Sequence, residues 1–110
     1  MAWQVVFSAR STRDLQKIVE YIAKDDPNAA EQFGLSLIDK AEGLANTPEM
    51  GPVLRLRPHS RFFPAGSYLI IYRLDEQRRI VRILRFWHSA RGTRGRRVKD
   101  RGRLGAIAPT

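Results

Sequence analysis

Apolar positions recur with helical spacing through the first half of the chain and alternate through the second. Leu15, Ile18, Val19 and Ile22 fall at i, i+3, i+4 and i+7, one stripe of a helix laid on a core. Arg13, Asp14, Lys17, Glu20 and Lys24 lie largely off that stripe. Ser11 or Thr12 is the expected N-cap. Asp25-Asp26-Pro27 ends this helix and opens a second, with Asp26 as N-cap and Pro27 in the first turn. The second helix turns Ala30, Phe33, Leu37, Ala41 and Leu44 inward and runs out at Asn46-Thr47-Pro48. So short a connection makes the pair an antiparallel hairpin. Gly34 and Gly43 inside the second helix each cost about 1 kcal/mol relative to alanine, and either close helix packing or neutral surface placement explains them.

Period-two segments flank the hairpin. Residues 3–7 form a short strand with Trp3, Val5 and Phe7 on one face. Strands are predicted over 53–57 and 61–63, before a turn at Pro64-Ala65-Gly66. The strongest signals are 68–74 and 80–87, joined by the hairpin-length turn Asp75-Glu76-Gln77-Arg78. In the last strand strict alternation puts Val81, Ile83, Arg85 and Trp87 on one face, and Ile80, Arg82, Leu84, Phe86 and His88 on the other. Such mixed faces fit a sheet covered by helices on one side and partly open on the other. The predicted fold is α+β in two layers: an N-terminal strand, an antiparallel helix hairpin, then an antiparallel three- to four-stranded meander.

Composition narrows the function classes. At 110 residues with 43% hydrophobic and 28% charged content, the chain reads as one ordinary globular domain. It lacks an apolar run long enough to span a bilayer and has no signal-peptide pattern, so a cytoplasmic protein is expected. Absence of cysteine removes disulfides and thiolate metal sites. The net charge of +9 is uneven, because residues 91–103 hold seven of the 20 Lys+Arg and one of the 11 acids. Beyond Arg91 no periodicity remains, so the expected organisation is a domain over 1–91 and a basic, flexible tail over 92–110. Such a tail is solvated, or meets nucleic acid or an acidic protein. It carries no aromatic residue after Trp87, which removes base stacking as its mode of binding.

Few chemistries survive. His59 and His88 are the only histidines and neither has metal-ligand spacing; no metal or other cofactor is expected. Metal-free RNA cleavage needs a base, an acid and cations for the phosphate. His88 with Arg61, Arg73, Arg82, Arg85 and Arg91 offers those residue types. Against this, a histidine at a strand end is more often a hydrogen-bonded structural residue, and an arginine on a strand is usually a solvated or salt-bridged face residue.

The order of motifs resembles the ParE/RelE superfamily of toxins from bacterial type II toxin–antitoxin systems. Asp14-Leu15, Ile18, Tyr21-Ile22-Ala23, Asp26-Pro27, Ala29-Ala30, Phe33, Leu37, Leu44, Pro48 and Gly51 carry its first half. Pro64, Gly66, Tyr68, Ile70, Tyr72 and Arg73 look like the family's P-x-G-x-Y-x-I-x-Y-R strand. Val81, Ile83-Leu84 and His88-Ser89-Ala90-Arg91 are similar to its closing V-x-I-L-x-x-x-H-x-A-R.

The resemblance implies a toxin bound by a cognate antitoxin, acidic and with a ribbon–helix–helix-like DNA-binding N-terminus, in a hetero-oligomer. It also implies two branches. RelE-like members are ribosome-dependent mRNA endonucleases, whereas ParE-like members act on DNA gyrase and are not nucleases. The endonuclease branch commonly has arginine after the first tyrosine of the strand, where this chain has Leu69. It also has a C-terminal aromatic residue and accompanying lysines, while here no aromatic follows Trp87 and no lysine lies between Lys40 and Lys99.

These departures favour gyrase inhibition by a non-enzyme. The alternatives are a metal-independent endoribonuclease using His88, Arg91 and Arg61, or a non-toxic basic nucleic-acid-binding module. The expected antitoxin surface comprises Leu15, Val19 and Phe33 with Tyr68, Tyr72, Arg73, Arg82 and Arg85, and Arg61 is a further cation for acidic antitoxin residues. The expected target surface comprises Arg85, Trp87, His88, Arg91, Arg94, Arg96 and Arg97.

Overall fold

The computed structural model describes residues 2–55 and 57–90. The basic tail and the site candidates Arg91, Arg94, Arg96 and Arg97 lie outside the described residues. The order of elements is β1 (Gln4–Phe7), α1 (Ala9–Ala23), α2 (Pro27–Gly43), β2 (Arg61–Ala65), β3 (Tyr68–Asp75) and β4 (Ile80–His88). The strands form one sheet in the order β1-β4-β3-β2. The expected α+β architecture is present, and β2, β3 and β4 form the antiparallel meander. Antiparallel pairing does not extend to β1, which lies parallel to β4 with Val5 opposite Val81 and Phe7 opposite Ile83.

Local chemistry sets the boundaries of the elements. The N-cap of α1 is Ser8, not Ser11 or Thr12: its Oγ accepts the Ser11 N–H at 3.0 Å. Ser11 is buried and spends its hydroxyl on the Ser8 carbonyl at 2.9 Å. Strand β1 thus passes into the helix without a loop. Asp26 caps α2 as expected, accepting the Ala29 N–H at 3.1 Å with Pro27 in the first turn. Among the described residues the expected strand over 53–57 does not form. Val53 makes one isolated bridge to Arg61, and the Leu54 and Ser60 backbones close a small loop through Leu54 N–H to Ser60 O at 2.8 Å. Strand β2 runs on through Pro64 and Ala65, and the turn falls at Gly66, whose φ of 63° suits glycine.

Two apolar clusters sandwich the sheet. The helices cover one face, where Ile18, Leu37, Ala41 and Leu44 pack on Ile70, Tyr72, Val81, Ile83 and Phe86. Leu54 with Leu69, Ile71 and Trp87 builds a smaller cluster, against which Phe62 and Leu84 pack. Gly34 sits where the helices meet: a Cβ there would stand 2.9 Å from Val19 Cγ2, while one on Gly43 would meet nothing within 4 Å. Close packing therefore explains the first glycine and open placement the second.

The strict alternation expected over 80–87 breaks at Leu84. Ile71 pairs with Arg85 but Tyr72 pairs with Ile83, so Leu84 is an unpaired extra residue in β4. Such a bulge reverses the faces beyond it. Phe86 joins the helix-side core behind Val81 and Ile83, and Trp87 joins the opposite cluster.

Candidate functional site

Strand β1 ends opposite Ile83, while β4 continues for five residues past that point. Helix α1 crosses the edge left open, and a cleft of about 550 Å³ forms between them. Asp14, Lys17, Ile18 and Tyr21 line it from α1; Arg85, Phe86 and His88 line it from β4, and Tyr68 from β3. Positions 14, 17, 18 and 21 repeat the i, i+3, i+4, i+7 spacing, one face of the helix.

Asp14 organises this end of the sheet. Its Oδ2 accepts the Arg85 Nε–H at 2.7 Å and the Phe86 backbone N–H at 3.0 Å, and its Oδ1 accepts from Arg85 Nη2 at 3.2 Å. One carboxylate thereby holds a bidentate guanidinium and a strand amide that has lost its neighbouring strand. Both side chains of the ion pair are about four-fifths buried. The Arg85 guanidinium also lies 5.0 Å from the Trp87 ring centroid, within cation–π range. Ser8 works on the same edge, its Oγ donating to the Leu84 carbonyl at 3.2 Å. The sequence showed Asp14 as an off-stripe acid and as part of the Asp14-Leu15 family motif but gave it no role, because its partner lies 71 residues away.

Tyr68 and His88 are directly opposed on β3 and β4, their rings edge to face with centroids 4.9 Å apart. Phe33 of α2 adds a third ring, 5.8 Å from Tyr68. His88 Nδ1 accepts the Ala90 N–H at 3.2 Å, which fixes the ring where the chain leaves the sheet.

The structure separates the other candidates. Tyr72, expected on an exposed strand surface, is wholly buried; its hydroxyl donates to the Pro48 carbonyl at 2.9 Å and accepts the Gly51 N–H at 2.9 Å. Burial raises its pKa, opposed by the Gly51 hydrogen bond and the nearby Arg61 charge. Trp87 is likewise core, 7% exposed, and is not a free contact surface.

Arg61 is committed to the loop before β2, donating to the Gly51 carbonyl at 2.8 Å and the Glu49 carbonyl at 3.3 Å. It pairs with Tyr72 while His88 pairs with Tyr68, so the two backbones are offset by about 13 Å along the strands and by two strands across the sheet. Arg73 and Arg82 oppose each other across β3 and β4 on the face away from the helices. Leu15 and Val19 are half-buried in the helix layer. The eight residues expected to meet an antitoxin are therefore not one patch: Phe33 and Tyr68 come together, and the arginine pair occupies the other side.

The fold, a helix hairpin on a sheet of order β1-β4-β3-β2, is shared with solved toxin–antitoxin structures. The chromosomal ParDE system from P. aeruginosa matches with a TM-score of 0.68 at 14% identity, over 78% of this chain and 95% of that one, a likeness of fold. The toxin–antitoxin complex RelBE2 from Mycobacterium tuberculosis matches with a TM-score of 0.61 at 27% identity, over 80% and 99%. The family model for the ParE toxin of the type II toxin–antitoxin system parDE covers residues 5–92, and the chain belongs to that family. Among curated relatives, Toxin RelE2 of Caulobacter vibrioides is 34% identical over 88 residues, 80% of this chain and 97% of the relative. Toxin RelE1 of the same organism is 29% identical over 91 residues, 81% and 96%. The chain is thus a type II toxin of the ParE/RelE superfamily, as its motifs led us to expect. Among the described residues no helix is long and apolar enough to cross a membrane.

Proposed function

We propose that this toxin inhibits DNA gyrase in the cytoplasm, without being an enzyme, and is neutralised by a cognate antitoxin encoded beside it. The antitoxin half of the reading is supported by the RelBE2 relative, which is a toxin–antitoxin complex. The gyrase half is carried by Leu69. At the position where endonuclease members of the superfamily commonly place arginine, this chain buries a leucine, 7% exposed, in the cluster with Ile71 and Trp87. Arg61 is spent on loop carbonyls and Arg85 on Asp14, so neither is free to stabilise a scissile phosphate.

The endonuclease alternative has one observation in its favour. His88, Tyr68 and Lys17 line a single cleft and supply titratable and cationic groups of the type such cleavage needs. Two reactions separate the readings. Purified protein is added to a gyrase supercoiling assay and to translating ribosomes carrying a reporter mRNA. Lost supercoiling with intact mRNA is the expected result. Codon-positioned mRNA cuts that disappear in His88→Ala would reverse the assignment.

A further inference from the structure

Charge divides this molecule by layer. The helix hairpin, residues 9–43, holds five Lys+Arg and seven acids, whereas residues 44–90 hold eight bases, every one an arginine, and three acids. Half of those arginines are engaged within the fold. Arg61 donates to loop carbonyls and Arg85 holds Asp14. Arg78 pairs with Asp75 at 3.9 Å, and Arg79 lies over the Trp3 ring, 5.8 Å from its centroid. The others, Arg55, Arg57, Arg73 and Arg82, make no ion pair, side-chain hydrogen bond or ring contact among the described residues.

These unengaged arginines lie on the helix-free side of the sheet. Arg73 and Arg82 are directly opposed on β3 and β4, with Cα atoms about 5 Å apart, and like charges so placed destabilise a sheet. The acid two residues along the same face, Asp75, is taken by the turn, where its Oδ1 accepts the Arg78 N–H at 3.2 Å. Arg55 and Arg57, both exposed, sit on the loop whose Leu54 packs into the cluster on this face. A repulsion that nothing inside the chain relieves points to an anion outside it.

We propose that this face binds the phosphate backbone of duplex DNA, with Arg73 and Arg82 as its central contacts and Arg55 and Arg57 extending them. Guanidinium forks match phosphate oxygens in pairs, and the use of arginine alone fits that chemistry. The apolar residues of this face, Leu69, Ile71 and Trp87, are at most 8% exposed, so an acidic protein would find no apolar core to bury. Trp87 is likewise too buried to stack on unpaired bases. A paired backbone, contacted without regard to sequence, is the ligand that fits. The surface stands on the charge distribution; the choice of DNA over RNA rests on the gyrase reading.

The test is fluorescence anisotropy of a labelled DNA duplex titrated with the full chain over a range of salt concentrations. The double variant Arg73→Gln/Arg82→Gln is expected to weaken binding by about tenfold and to lower the slope of log K against log salt by about 2. Because it removes a like-charge pair, it is expected to keep a urea midpoint at or above that of the wild type, so the loss is not one of folding. A lower midpoint would make the pair structural and overturn the proposal. So would wild-type affinity in this variant with loss confined to Arg96→Gln/Arg97→Gln, tighter binding of single-stranded RNA, or binding of a polyglutamate peptide in place of the duplex. A gyrase supercoiling assay separates the surface from the reading it deepens. Duplex binding through the pair with supercoiling untouched sinks the gyrase reading and leaves the surface standing. Inhibited supercoiling without duplex binding sinks the surface alone.

Discussion

Tyr72 makes two hydrogen bonds with one buried hydroxyl and ties the 48–51 segment to the sheet. Tyr72→Phe leaves the Gly51 N–H and the Pro48 carbonyl without that partner, and should lower stability by about 1–3 kcal/mol, read as a lower urea midpoint. Its pH dependence has a fixed sign. Burial raises the folded pKa above the ordinary 10.0, so the folded state holds the phenolic proton more tightly than the unfolded chain. That contribution is complete below about pH 10 and is lost as pH rises towards the folded pKa. As pH rises above about 10 the wild type should therefore lose more stability than Tyr72→Phe. The sequence marked Tyr72 as a strand residue in a family motif. It did not reveal burial, because the face of a strand is decided by what packs on it, here a loop anchored 21 residues earlier in the chain. The role of Asp14 escaped notice for a related reason, since an ion pair between a helix and the last strand leaves no local pattern.

Elements were legible where periodicity was local. Both helices, the Asp26 cap and the β3–β4 hairpin stand where the apolar spacing put them. The failures lie at junctions. A period-two reading passes through Leu84 unaltered, yet the bulge there moves Phe86 to the helix side. Ser8 caps α1 because β1 runs directly into the helix, whereas the sequence offers three hydroxyl residues within five positions. The two helix glycines test how far context governs one residue type. Alanine at Gly34 puts its Cβ 2.9 Å from Val19 Cγ2, and a β-branched helical side chain has little rotamer freedom with which to yield. Overpacking should outweigh the better propensity and cost about 1 kcal/mol net. Alanine at Gly43 meets nothing and should stabilise by up to about 1 kcal/mol. Opposite shifts in the denaturation midpoints of the two variants are the expected outcome; equal shifts would show that the helix contact is looser than its geometry.

At the scale of the molecule, the sheet has an apolar cluster on each face, and the interior strand β3 serves both. Ile70 and Tyr72 look to the helices, Leu69 and Ile71 to the other side, and all four are at most 8% exposed. A residue in that run cannot become a surface cation without emptying one of the clusters, and this bears on the choice between superfamily branches. Leu69→Arg restores the residue type common in the endonuclease branch but places a guanidinium among Leu54, Ile71 and Trp87. An uncompensated buried charge costs several kcal/mol, a large part of the roughly 5–15 kcal/mol that holds a domain together. The variant should therefore melt well below the wild type in circular dichroism, and the fraction that stays folded should leave ribosome-bound mRNA intact. A stable Leu69→Arg protein that cuts mRNA would mean that the second cluster yields easily and that one substitution separates the branches. The packing around β3 argues the reverse: in this chain the position has been given over to the core, and whatever the toxin does to its target it does with other residues.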